Sequence, residues 1–249
     1  MAPPARAGLP GVAMFNPRPV VRALPIGDGH ACVVIDDALV GPERLPAFAY
    51  AYREDFQQAP AGQFPGQQLR MPEEFTHLLG DVFREHARQA LGVRRTQFGA
   101  SRLALVTSAP QALAPVHWNP QRVRAFEPEQ RVVLAELFLF HDEMLGGLQF
   151  FVPRVSPQQI EQMEHDAGAL APDEFSRRHG VAAAYPRGGS ACFAEALAIP
   201  ARWNRLVFHD GASFHAPAIG DPARLVADPR AGRLSLTAAF TCSRPRVPW

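Results

Sequence analysis

"TQFGASRLALVTS", residues 96–108, is where the chain changes character. Upstream, apolar residues recur at helical spacing. From residue 96 onward they recur at short intervals broken by Gly, Pro and Asp. In "PEEFTHLLGDVFREHARQAL" (72–91), Phe75, Leu78, Leu79, Val82, Phe83 and His86 follow a 3.6-residue period, behind Pro72 and two first-turn glutamates. That pattern predicts a helix. "GPERLPAFAYAYREDF" (41–56), with Pro42 near its start, predicts another.

Downstream, "QRVVLAELFLF" (130–140), "GLQFFVP" (147–153), "SACFAEALAI" (190–199), "NRLVFHD" (204–210) and "RLSLTAAFT" (233–241) read as strands separated by turn residues. "HACVVIDDAL" (30–39) is an earlier strand, and "APAGQFPGQQLRMP" (59–72) reads as a loop. Helices first and many short strands later predict one α+β domain with a β-sandwich or jelly-roll core buttressed by the N-terminal helices. Residues 1–29 read as a loose arm, and 30–249 as a single domain. The polar stretch 156–180 reads as a partly helical insertion beside the barrel mouth, with few core contacts.

Composition narrows the function. Apolar residues are 47% of 249, enough for a sizeable core, and the formal net charge of +1 gives no electrostatic case for nucleic acid or an anionic membrane. All 25 basic residues are arginine, which with the abundant Ala and Pro reads as a coding bias, so a lone arginine says little about function. Cys32, Cys192 and Cys242 are odd in number and far apart, with no CxxC pair. No apolar leader and no run of eighteen apolar residues is visible, so the expectation is a cytoplasmic protein.

No P-loop, GxGxxG turn, GxSxG elbow or HExxH helix is present. What draws attention is the strand at 233–241. Positions 233, 235 and 237 share a strand face, so Arg233, Ser235 and Thr237 point one way while Leu234 and Leu236 point the other. A polar face on an apolar strand suggests carboxylate binding. The alternative is that Arg233 pairs with an internal acid such as Glu136 or Glu195.

Four segments, "RLALVTSAPQALAP" (102–115, extending to Pro120), "GGLQFF" (146–151), "RWNRLVFHDGASFHAPAI" (202–219) and "DPRAGRLSLTAAF" (228–240), resemble a bacterial branch of the prolyl-4-hydroxylase-like Fe(II)/2-oxoglutarate-dependent oxygenases. "QFPGQQLRMP" (63–72) is similar to the Tyr-Pro-Gly loop of that branch, with Phe64 in place of Tyr. The resemblance implies a double-stranded β-helix (jelly-roll) core, with His215 as the distal iron ligand. It also implies that Arg233 and Ser235 hold the far carboxylate of 2-oxoglutarate.

One departure qualifies this. Where the family carries its His-x-Asp iron motif, after the proline matched by Pro120, this chain has Gln121-Arg122-Val123. Amide and isopropyl groups are poor Fe(II) ligands. His117 with Asn119, or His141 with Glu143, are the available substitutes; His165 and His179 read as solvated, and His209 as a strand end before a turn Asp. Two functions follow: an Fe(II)/2-oxoglutarate oxygenase acting on a small molecule or peptide, or an iron-free pseudo-oxygenase binding a small organic acid or a partner.

Overall fold

The computed structural model describes residues 14–27, 29–60 and 62–244. Eleven strands and four helices occur in the order β1 (Val20–Gly27), β2 (His30–Asp36), α1 (Arg44–Ala51), β3 (Gln57–Gln58), β4 (Gly66–Arg70), α2 (Glu73–His86), β5 (Thr96–Val106), β6 (Gln130–Phe138), β7 (Leu148–Pro153), α3 (Pro157–Ala169), α4 (Pro172–His179), β8 (Phe193–Ile199), β9 (Leu206–Asp210), β10 (Phe214–Pro217) and β11 (Arg233–Ser243). The fold is therefore mixed, helices against antiparallel sheet. One sheet has eight strands in the order β1-β2-β9-β6-β11-β5-β4-β3, and the other has three in the order β10-β7-β8. An isolated antiparallel bridge between Gln121 and His215 adds a short rung to the free side of β10.

From β5 onward the pairing follows one rule. The first strand pairs with the last (β5 with β11) and the Gln121 rung pairs with β10. Next inward, β6 pairs with β9, and the middle two, β7 and β8, pair with each other. β11 also pairs with β6, and β10 with β7, which joins these pairs into two facing sheets. β1 and β2 extend the large sheet beyond β9, and β4 and β3 extend it beyond β5.

The period-two reading of β11 predicts which face is wet. Leu234, Leu236, Ala238 and Phe240 lie in one buried cluster with Leu45 and Phe48 of α1 and Phe75, Leu79 and Phe83 of α2. Phe83 stacks on Phe240 with ring centroids 5.3 Å apart, so the helices cover the outer face of the large sheet. The leucines on this outer face of the large sheet are thus core residues of the helix layer. α2 reaches them because Phe75, Leu79 and Phe83 recur every four residues and fall on one helical stripe.

Three expectations need correction. The loose arm ends before Val20: residues 20–27 form β1, paired antiparallel with β2 apart from an irregularity at Ile26. Residues 1–13 lie outside the described part. Within 59–72, "GQQLR" forms β4, held by antiparallel pairing to β5 despite two glutamines of weak strand preference. The insertion is not short of core contacts: Ile160, Met163 and Phe175 are buried with Trp118, Phe151 and Phe193. α3 begins with a full capping box between Ser156 and Gln159. Arg122 grips Glu164 through two 2.7 Å bonds, tying α3 to the segment beside the Gln121 rung.

Candidate functional site

A cavity of about 350 Å³ lies between the two sheets. His117, Asn119, Gln121 and Val123 line one wall, Arg102, Glu136, Arg233 and Thr237 of the large sheet line another, and His215 and Tyr185 complete it. A larger cleft of about 600 Å³ lies on the α2 side of the large sheet, among surface charges such as Arg84, which pairs with Asp81 at 3.0 Å. Its chemistry is that of solvated side chains, so the inter-sheet cavity is the candidate site.

β10 delivers His215. Its Nδ1 lies 2.9 Å from the Ser213 carbonyl, which can only accept, so Nδ1 carries the proton and Nε2 is left with a lone pair. Burial lowers its pKa, against smaller opposing effects of the Ser213 carbonyl and Glu136. His209 packs edge-on against it at 4.6 Å and is itself buried, bonded through Nδ1 to the Asp210 carbonyl at 3.0 Å. The two rings form a neutral pair, because burial first and the neighbouring imidazole second hold His209 well below its ordinary value. His209 lies at the end of β9, as its place before the Asp210-Gly211 turn predicts, and what the sequence did not reveal is its contact with His215. That contact was hidden because His209 and His215 come from strands of different sheets.

The opposite wall begins at a 3-10 turn, Pro115–Trp118, whose first proline fits a helical start. It presents His117, 8% exposed, with both ring nitrogens buried and without a hydrogen-bond partner among the described residues. Burial lowers its pKa, so the ring is neutral. Asn119 also keeps an unpartnered buried Nδ2. Gln121 exchanges backbone bonds of 2.8 Å with His215 in both directions. Residues so paired project on the same side, so Gln121 faces the cavity beside His215, and Val123 follows two positions on. Gln121 turns its Nε2 to the Val116 carbonyl at 3.0 Å.

On β11, Arg233 and Ser235 share the inward face. Arg233 is 2% exposed and Ser235 is fully buried with an unpartnered Oγ. Arg233 donates from Nε to the Leu145 carbonyl, from Nη2 to the Gly147 carbonyl and from Nη1 to Glu136, each at 3.0 Å. Of the two acids considered from sequence, Glu136 is the partner; Glu195 instead accepts from Gln149 at 2.7 Å. The Gly146-Gly147 pair is what brings those carbonyls close. A Cβ on Gly146 would collide with the Ala218 carbonyl, and one on Gly147 with the Ile199 carbonyl. Gly146 also sits at φ +74°, a region that side chains disfavour.

Residues 17–240 match the family described as "Family of unknown function (DUF6445)". The chain belongs to this family. No curated protein matches the DUF6445 chain. Among solved structures, it is similar to the non-heme alpha ketoglutarate dependent epimerase SnoN from nogalamycin biosynthesis, at 13% identity and a TM-score of 0.40, over 86% of this chain and 80% of that one. It is also similar to an N-substituted L-amino acid dioxygenase from Burkholderia ambifaria AMMD, at 14% identity and a TM-score of 0.36, over 84% and 81% of the two chains.

The DUF6445 chain's own donors decide whether Fe(II) fits. His215 offers one suitable nitrogen. The positions beside it are an amide and an isopropyl group, and His117 would bring the total to two nitrogens. Among the described residues no group of three or more His, Cys, Asp or Glu is placed to hold a metal ion. The residues do not fit a resident Fe(II), which needs two histidines and a carboxylate on one face. His141 stacks on Trp203 at 4.2 Å, and His141 and Glu143 do not line the cavity. His179 is not solvated: it bonds Asp166 at 2.9 Å. Arg102 escaped the sequence reading because one arginine among so many carries no signal. It lines the cavity with no ion pair or hydrogen bond among the described residues. Among those residues no helix is long and apolar enough to cross a membrane.

Proposed function

We propose that this chain is an iron-free pseudo-oxygenase: a double-stranded β-helix of the prolyl-4-hydroxylase-like kind whose inter-sheet cavity binds a small organic acid. The nested pairing of first strand with last, second with seventh, third with sixth and fourth with fifth supports the jelly-roll reading. The observation that carries the functional reading is Gln121 opposite His215, with Val123 two positions on. The cavity has room for a small molecule, but its donors do not supply a facial triad.

Binding follows from the remaining groups. Much of the lining is apolar, including Leu134, Leu148, Ala216 and Ala239, and suits a carbon skeleton. Asn119 Nδ2 is a free donor and His117 is a neutral ring with one donor and one acceptor to satisfy. Arg102 on β5, without an ion pair among the described residues, can take the carboxylate in a two-pronged pair.

The deciding experiment is an anaerobic Fe(II) titration with and without 2-oxoglutarate, followed by absorbance. No stoichiometric binding and no charge-transfer band are expected. A tight one-to-one iron complex that turns over 2-oxoglutarate would replace this reading with that of an oxygenase built on His215 and His117.

A further inference from the structure

We infer that Glu136 is a built-in occupant of the Arg233 cradle, closing the inner end of the cavity to carboxylates so that an acid must bind with its charge outward. The inference rests on the organic-acid reading of the cavity only for the ligand's orientation; the cradle itself is a matter of geometry.

Arg233 is the largest fully buried side chain of the described residues. A guanidinium out of water must have its charge answered and its donors directed. Two of its nitrogens are spent on the Leu145 and Gly147 carbonyls, which fix its plane but bring no charge. Among the described residues the counter-charge comes from Glu136 alone, at 3.0 Å, reaching across from β6, the strand paired with β11. Both side chains line the cavity, and Glu136, 14% exposed, covers the Nη1 edge of a guanidinium that is only 2% exposed. A second carboxylate arriving there would meet Glu136 before it met Arg233, and like charges at close range in a dry site repel strongly.

The same sheet row shows where a ligand's charge can go. Thr237 lies opposite Glu136 on one side and opposite Arg102 on the other, so the three side chains line one face in the order Arg102, Thr237, Glu136. With Glu136 committed to Arg233, Arg102 is left as the cation for the ligand.

The atoms of Glu136 beyond Cβ are those of acetate, which makes a direct test possible. In sodium chloride, Glu136→Ala should melt below the wild type. Sodium acetate at equal ionic strength, about 100 mM, should recover at least half of that loss, as a ligand bound only to the folded state does. Wild type should respond alike to both salts, and Arg233→Met added to Glu136→Ala should abolish the recovery. Glu136→Gln keeps the volume and guards against a folding failure. It should bind glutarate about tenfold more tightly than wild type does by calorimetry. An identical response of Glu136→Ala to acetate and chloride overturns the inference, as does wild-type glutarate binding that Arg233→Met abolishes. Iron bound by wild type would sink the proposed function and leave the acetate result standing.

Discussion

Gln121 and His215 face each other across a single antiparallel rung, each donating its backbone N–H to the other's carbonyl at 2.8 Å. That rung sets an amide beside the His215 ring, and Val123 lines the same cavity two positions on. Replacing both, Gln121→His with Val123→Asp, gives His215 a histidine and a carboxylate on its own face. The double variant should gain at least about tenfold in Fe(II) or Co(II) affinity over wild type, measured by anaerobic titration. Unchanged affinity would mean that these positions do not converge on His215.

Arg233 and Glu136 should be costly to separate. Arg233→Met removes the cation but leaves Glu136, 14% exposed, facing an apolar group. Breaking one side of such a pair costs about 3 kcal/mol. Chemical denaturation should show the loss, with Arg233→Lys intermediate, because an ammonium cannot reach the Leu145 and Gly147 carbonyls together.

The fold should be acid-labile through its histidines. Burial lowers the pKa of His117, His209 and His215 below the ordinary 6.5. Below that value the unfolded chain takes up protons that the folded chain refuses. Stability is therefore full above pH 6.5 and falls as pH drops through the window beneath it, by at most about 1.4 kcal/mol per pH unit for each ring. Melting temperature against pH should show the decline, and His209→Phe should flatten it.

Arg102 should govern acid binding. In Arg102→Ala, affinity for a monocarboxylate probe such as phenylacetate should drop about tenfold or more, the loss of one charge-assisted contact. Stability should change little, since the side chain is exposed and makes no ion pair or hydrogen bond among the described residues. Equal calorimetric affinities for variant and wild type would place the carboxylate elsewhere.

Phe175 should hold the insertion down. It is fully buried, edge-on to Trp118 at 5.8 Å, in the turn that carries His117. Phe175→Ala should cost about 3–5 kcal/mol. It should also raise hydrogen exchange across α3 and α4.

How much of this was legible in the sequence varies with the physical signal. β11 was readable because Leu234 and Leu236 alternate with Arg233, Ser235 and Thr237, and α2 because its phenylalanines keep a four-residue step. β10 is four residues long and ends in Pro217, so no periodicity could reveal it; only its pairing to β7 does. α4 buries a single residue, Phe175, so no repeat of apolar positions could mark it as a helix. In the site, the strand step placed Arg233 and Ser235 on one face, and "LAELF" put Glu136 on the same side as Leu134. What spacing could not supply was the choice of partner. Whether Arg233 meets Glu136 or Glu195 depends on which strands become neighbours, and that is a property of the whole fold.

The last strand to be synthesised among the described elements is also the middle of the large sheet. β11 sits between β6 and β5, which have no direct pairing with each other. Until β11 emerges, two long strands carrying Leu103, Leu105, Leu134 and Leu137 present open edges. Chains closed by such distant contacts fold slowly and are vulnerable while they wait. A stalled ribosome or a truncation before Arg233 would thus yield a sticky half-barrel, a natural client for chaperones.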